Sequence, residues 1–205
     1  MNNIIAIRPV EKVFSITWML GRRCNYDCMY CPEELHDKFS RHHDLNKLKE
    51  AWKNMHQQTG AKKLPYKISF TGGEVTANKN FLPFVSWLKE NYNVSSILIT
   101  TNGSAGLKYY EKLTNYVDAI SFSTHAEFMN EKVFFQKVVA LNKIMIRPKK
   151  SFHVNIMDEY WAKERIKLYE KFCIKNKVSF SINEIDYDKK TREEVLNNGQ
   201  SNLKI

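Results

Sequence analysis

Hydrophobic positions along the chain fall into two alternating rhythms. Short runs rich in Ile, Val, Phe, Thr and Ser occur at Phe14–Leu20, Lys67–Thr71, Ser96–Thr101, Ala119–Thr124, Phe152–Met157 and Val178–Asn183. Each has the length of a buried strand and the residue types that suit a pleated surface. Between them lie longer amphipathic stretches, Leu45–Gln58, Lys79–Asn91, Leu107–Tyr116, Asn130–Lys143 and Tyr160–Asn176. In the last of these, Ile166, Tyr169, Phe172 and Cys173 recur at three-to-four spacing, which makes one helical face apolar.

Strand followed by helix, repeated along the chain, predicts parallel strands joined by right-handed crossovers. The span from Phe14 to Asn183 allows about 28 residues for each of six units, whereas a closed barrel of eight units takes about 250 residues in all. The predicted fold is α/β, an open partial (β/α)6 barrel over residues 1–183, with function at the C-terminal ends of the strands, where the loops converge. Beyond Asn183 the sequence turns charged, EIDYDKKTREEVLNNGQ, and residues 184–205 are expected to form a charged helix or tail.

Composition narrows the class. The 205 residues carry 32 Lys and Arg against 22 Asp and Glu, a formal charge of +10, and 43% of them are hydrophobic. That apolar share supports a core and excludes a disordered basic polymer. No window approaches the roughly 18 apolar residues of a membrane span, and the first residues lack a signal-peptide pattern, so a cytoplasmic protein with no membrane partner is expected. Much of the basic charge falls in stretches such as KLKEAWK and KERIKLYEK, where opposite charges at helical spacing form solvated faces. With no zinc-finger pairing, RNA-recognition signature or Arg-rich arm, nucleic acid is not the expected partner.

Of four cysteines, three sit together in GRRCNYDCMYC, directly after the first predicted strand. Cys24, Cys28 and Cys31, with three and then two residues between them, are too tightly grouped for a disulfide framework and point to metal. Three thiolates on one loop can hold three irons of a four-iron, four-sulfur cubane and leave the fourth open to a cofactor or substrate. The alternative is a closed zinc site in which His36, His42 or His43 completes a Cys3His set, as in a zinc-stabilised basic binding module. Cys173, on the apolar face of the last helix, reads as an inert buried thiol.

This C-x3-C-x2-C loop after the first strand of a partial barrel resembles the radical S-adenosylmethionine superfamily. The run SFTGGEVT, at the end of the second strand, supports the likeness: the family carries a Gly-Gly-Glu segment there that binds the amino group of the cofactor's methionine part. The family usually places Pro after the Glu, and this chain has Val75. The resemblance implies one 4Fe-4S cluster on Cys24, Cys28 and Cys31 as metal-binding, catalytic residues. It further implies S-adenosyl-L-methionine bound by Gly72, Gly73 and Glu74, by the aromatic slot at Tyr30, and by Asn102, Ser123 and Asn155 at the ends of the third, fourth and fifth strands.

The activity so implied is reductive cleavage of S-adenosylmethionine to a 5′-deoxyadenosyl radical that abstracts hydrogen from a substrate in the barrel. His125 and Glu127, just past the fourth strand, are candidates for touching that substrate, whose class (nucleotide, sugar, peptide or other small molecule) they do not define. An electron donor of the flavodoxin or ferredoxin type is implied, and Arg22 and Arg23 beside the cysteines would steer an acidic one. Nothing after Cys173 offers ligands for an auxiliary cluster, which favours compact members; a glycyl-radical activating enzyme is the alternative within the superfamily.

Overall fold

Six strands lie side by side in chain order, every neighbouring pair parallel: β1 (Phe14–Met19), β2 (Tyr66–Thr71), β3 (Val94–Thr101), β4 (Ala119–Ser123), β5 (Ser151–Asp158) and β6 (Ser179–Glu184). Five helices alternate with them: α1 (Leu45–Thr59), α2 (Phe81–Asn91), α3 (Leu107–Leu113), α4 (Glu131–Ile146) and α5 (Lys163–Lys175). This computed structural model describes residues 12–32, 34–59, 63–146 and 150–185. From residue 186 on, the expected charged tail lies outside the described residues. The fold is the α/β half-barrel that the alternating rhythms predict.

Strand alternation sorts the side chains. Ile68 and Phe70, Ile97 and Ile99, Ile120 and Phe122, and Val154 and Ile156 are buried against the helices. Aromatic rings close that layer: Trp18 stacks on Trp52 at 6.2 Å, and Phe122 meets Tyr110 at 4.8 Å. Such pairs add about 0.5–1.5 kcal/mol beyond the area they bury. The opposite strand face is mostly small and polar and lines the lumen. Since the helices cover one face only, the core lies between sheet and helices, and the C-terminal strand ends are left for chemistry.

Helix ends depart from the sequence pattern: α2 starts at Phe81 rather than Lys79, and α4 runs on to Ile146 rather than Lys143. The third ends at Leu113 rather than Tyr116, because Thr114 donates its hydroxyl to the carbonyl of Glu111 at 2.8 Å and turns the chain. The fifth begins at Lys163, after a single 3-10 turn at Tyr160–Ala162. Among the described residues no helix is long and apolar enough to cross a membrane.

Candidate functional site

The loop after β1 is folded around Asp37. Its backbone carbonyl accepts the Cys24 N–H at 2.8 Å and its own N–H donates to Arg22 O at 2.9 Å. Its carboxylate accepts the N–H groups of Phe39 and Ser40, the Ser40 hydroxyl and, at 3.5 Å, Arg22 Nε. The Ser40 hydroxyl chiefly holds this carboxyl below the usual range. Arg22 is thereby engaged in building the loop, whereas Arg23 lines a separate hollow of about 430 Å³ with Ser40, Arg41 and His42.

Gly72 and Gly73 dock this loop onto the end of β2. Gly73 donates to Gly21 O at 2.8 Å and Glu74 donates to Arg23 O at 2.9 Å. Gly72 has φ +116°, and a Cβ there would lie 2.6 Å from Gly21 O; a Cβ on Gly73 would lie 2.2 Å from Arg23 O. Glycine is therefore required by backbone approaching backbone, ahead of any approach to a ligand.

Glu74 is buried and both oxygens of its carboxylate accept hydrogen bonds from protein. Oε1 accepts Thr76 N–H at 2.9 Å and the hydroxyls of Thr76 and Thr101, each at 2.6 Å, and Oε2 accepts Asn102 N–H at 2.7 Å. Burial pushes its pKa up, with those donors opposing. The sequence reading assigned this carboxylate to an ammonium group of the cofactor; in the structure it first ties β2 to β3, keeping spare acceptor capacity only on Oε2.

These elements enclose a cavity of about 150 Å³ whose wall carries all three thiols together with Gly72, Gly73, Glu74, Asn102 and Ser123. Tyr30 is there too, along with Thr71, Thr100 and His125. Asn102 is oriented by Asn25, whose Oδ1 accepts its amide at 2.9 Å, and the same amide stands 4.0 Å from Cys24 Sγ. Asn155 is not on this wall. Its amide reaches down the lumen to Ser121 and Ser123, at 3.3 and 3.5 Å.

His125 faces the cysteines. Its Nδ1 lies 2.5 Å from the Tyr30 hydroxyl and 3.2 Å from Cys28 Sγ, its ring stacks parallel to Tyr30, and burial lowers its pKa to about 4. Burial likewise raises the thiols of Cys24, Cys28 and Cys31. Glu127 is exposed at the rim, its Oε2 3.5 Å from Met29 N.

Three contributors were missed from sequence. Tyr26 lines the cavity, stacked on Phe128 at 5.3 Å and edge-on to His125; an aromatic between the first two cysteines was the available signal. Lys137 of α4 is buried and donates Nζ to Gly103 O and, at 2.9 Å, to Ala105 O, clamping the loop that carries Asn102. Glu159, just past β5, is fully buried; Oε1 accepts Ala126 N–H at 2.6 Å, and among the described residues Oε2 has no hydrogen-bond partner. Neither a lysine in a basic chain nor an acid after a strand stands out in a sequence.

The donor set indicates what the wall can hold. Among the described residues no three of His, Cys, Asp and Glu are placed to hold a single ion, although three thiols share one cavity. His36 on that wall has both ring nitrogens engaged, with Pro32 O at 3.2 Å and Asp27 Oδ1 at 3.1 Å, and His42 lies in the neighbouring hollow. The residues fit a sulfur-ligated multi-iron group better than a closed Cys3His zinc site.

A family model described as the radical SAM superfamily matches residues 18–154. Over 92 residues the chain is 34% identical to the GTP 3′,8-cyclase of Pasteurella multocida (strain Pm70), covering 43% of this chain and 25% of that protein. Streptococcus suis SuiB bound to S-adenosylmethionine superposes at TM-score 0.55 and 19% identity, over 93% of this chain and 45% of SuiB. BtrN in complex with AdoMet and 2-DOIA superposes at TM-score 0.53 and 22% identity, over 69% and 56% of the two chains. The chain spans a quarter of the cyclase and less than half of SuiB.

Proposed function

Because the chain belongs to the radical SAM superfamily, we propose that it is an enzyme that holds one 4Fe-4S cluster on Cys24, Cys28 and Cys31, with S-adenosylmethionine beside it, and abstracts hydrogen from a substrate in the half-barrel. The observation that carries this reading is the convergence of three thiols from one loop with Gly72–Glu74, Asn102 and Ser123 from three strand ends on one cavity. When bound, the cluster supplies an electron to the sulfonium and the cofactor supplies the hydrogen-abstracting radical.

The residues of the chain do the rest. Three thiols leave one corner of a cubane without a protein ligand, which is where a cofactor can chelate. Gly72–Gly73 hold the cysteine loop against the end of β2, which sets the thiols beside Glu74 and Asn102. Glu74 and Lys137 fix the Thr101–Ala105 segment from two sides and so aim Asn102. Tyr30, Tyr26 and His125 form an aromatic side that suits an adenine face and, with Phe128, screens the thiols from water. Residues 1–183 constitute this catalytic core, and 184–205 lie outside it. The hollow of Arg23, Arg41 and His42 beside Cys24 suits an acidic electron donor of the flavodoxin or ferredoxin type.

The test is anaerobic reconstitution of the chain with iron and sulfide. The expected product is brown, binds about four irons per chain, shows a paramagnetic cluster after dithionite and releases 5′-deoxyadenosine from S-adenosylmethionine. A colourless protein with one tightly bound zinc overturns the proposal.

A further inference from the structure

The lumen below the thiols is unlike a packed barrel interior. Closed barrels fill that space with layers of Val, Ile and Leu. Here strand register places Ser123, Asn155 and Ser181 in one row and Ser121, His153 and Ser179 in the row beneath. Asn155 donates to Ser121 and Ser123, Ser181 donates to Asn155 Oδ1 at 3.3 Å, and His153 meets Ser179 and Ser181 at 2.9 and 3.1 Å. Across the lumen, alternation puts Thr17, Ser69, Thr71 and Thr100 on the same face, with Met19, Leu98 and Met157 as its larger apolar members. Thr71, Thr100 and Ser123 also line the cavity that holds the thiols, so the hydroxyl surface begins where the thiols end.

Small hydroxyl side chains leave both room and bonding capacity, since each can donate once and accept twice and these contacts use only part of that. Among the described positions on this face none is Phe, Tyr or Trp; Trp18, Phe70, Phe122 and Phe152 all pack on the helix side. A nucleobase would find no stacking partner within the lumen, a loss of about 1–3 kcal/mol. The ionisable residues on the strand positions facing inward are Lys67, in the row with Ser15 and Ser96 at the end remote from the thiols, and His153, whose two nitrogens both face hydroxyls and whose pKa burial lowers. A phosphate or carboxylate near the reactive end would meet no Lys or Arg on the described inward strand positions there.

We infer that the lumen receives a small, uncharged, hydroxyl-rich molecule of the sugar or cyclitol class, gripped by the Ser121–Ser123–Asn155–Ser181 ladder. This rests on the proposal that the substrate lies in the half-barrel. It is tested by saturation-transfer NMR on the full reconstituted chain, with myo-inositol, D-glucose, guanosine monophosphate and a Ser-Gly peptide as probes. Transfer to the two polyols is expected, weakened at least about tenfold in Asn155→Leu and severalfold in Ser181→Ala. The milder variant keeps the test decisive where circular dichroism shows that Asn155→Leu has not folded. Binding of the nucleotide or peptide in place of the polyols, absence of transfer to either polyol, or polyol binding that Ser181→Ala leaves unchanged overturns the inference. 5′-Deoxyadenosine release by the same preparation reports the proposed radical chemistry separately, so either reading can fail alone.

Discussion

The carboxylate of Glu74 accepts the backbone N–H of Asn102 at 2.7 Å, closing the gap between the ends of β2 and β3. Removing it leaves that N–H and the Thr76 N–H without a partner in a dry setting, and the Thr101 hydroxyl with only the Tyr110 hydroxyl at 3.0 Å. Glu74→Ala is expected to lower the unfolding free energy by about 3–5 kcal/mol, and Glu74→Gln, which keeps one acceptor, by less. Denaturant unfolding of the metal-free chain measures this; an alanine variant as stable as its parent removes the tie from the account.

Gly73→Ala drives a methyl group into Arg22 O and Arg23 O, at 2.5 and 2.2 Å. The cysteine loop must lift off β2, so iron bound per chain is expected to fall by about half or more while far-UV dichroism keeps its sheet signal. Gly106→Ala is the control, since its Cβ meets nothing within 4 Å. Equal iron content in the two variants contradicts the docking role.

The four cysteines divide by surroundings. Cys173 is fully buried on α5, its thiol raised to about 11 by burial, and it is absent from the cavity wall. Cys173→Ala is expected to retain iron and 5′-deoxyadenosine release at a stability cost of about 1–2 kcal/mol. Cys28→Ala is expected to lose the release altogether. Similar behaviour of the two, read by iron analysis and chromatography, defeats the division.

Burial lifts Glu159 to about 7, with the Glu127 charge adding to it and the Ala126 amide and Arg165 opposing. Cys28 and Tyr30 also feel its charge. The folded chain therefore holds this proton where the unfolded chain has released it, between about pH 4.5 and 7. In that window stability falls as pH rises, by at most about 1.4 kcal/mol per unit, and the effect is constant above it. The stability of the parent relative to Glu159→Gln should fall from about pH 5 to 8 in denaturant titrations, because the amide does not titrate. A flat difference shows that the carboxyl titrates normally.

Strand and helix positions were legible because period two and period 3.6 are written into Ile68 and Phe70, or Ile166 and Tyr169, whatever the tertiary context. The thiol spacing was legible because ligands from one loop must be near in sequence. What escaped depends on distant partners. Gly72 and Gly73 read as room for a ligand until the carbonyls of Gly21 and Arg23 are in place. Glu74 read as a free carboxylate because Thr101 and Asn102 reach it only after β3 pairs with β2. Parity puts Asn155 on the inward face and register puts it level with Ser123, yet of the two only Ser123 lines the cavity, which neither parity nor register shows.

Among the described residues β1 and β6 each keep one hydrogen-bonding edge unpaired, so the six staves do not meet. A sealed cylinder admits guests only end-on and sorts them by girth. A slotted one lets part of a guest protrude sideways, so a guest held as inferred above would be selected by the portion among the serines rather than by overall size.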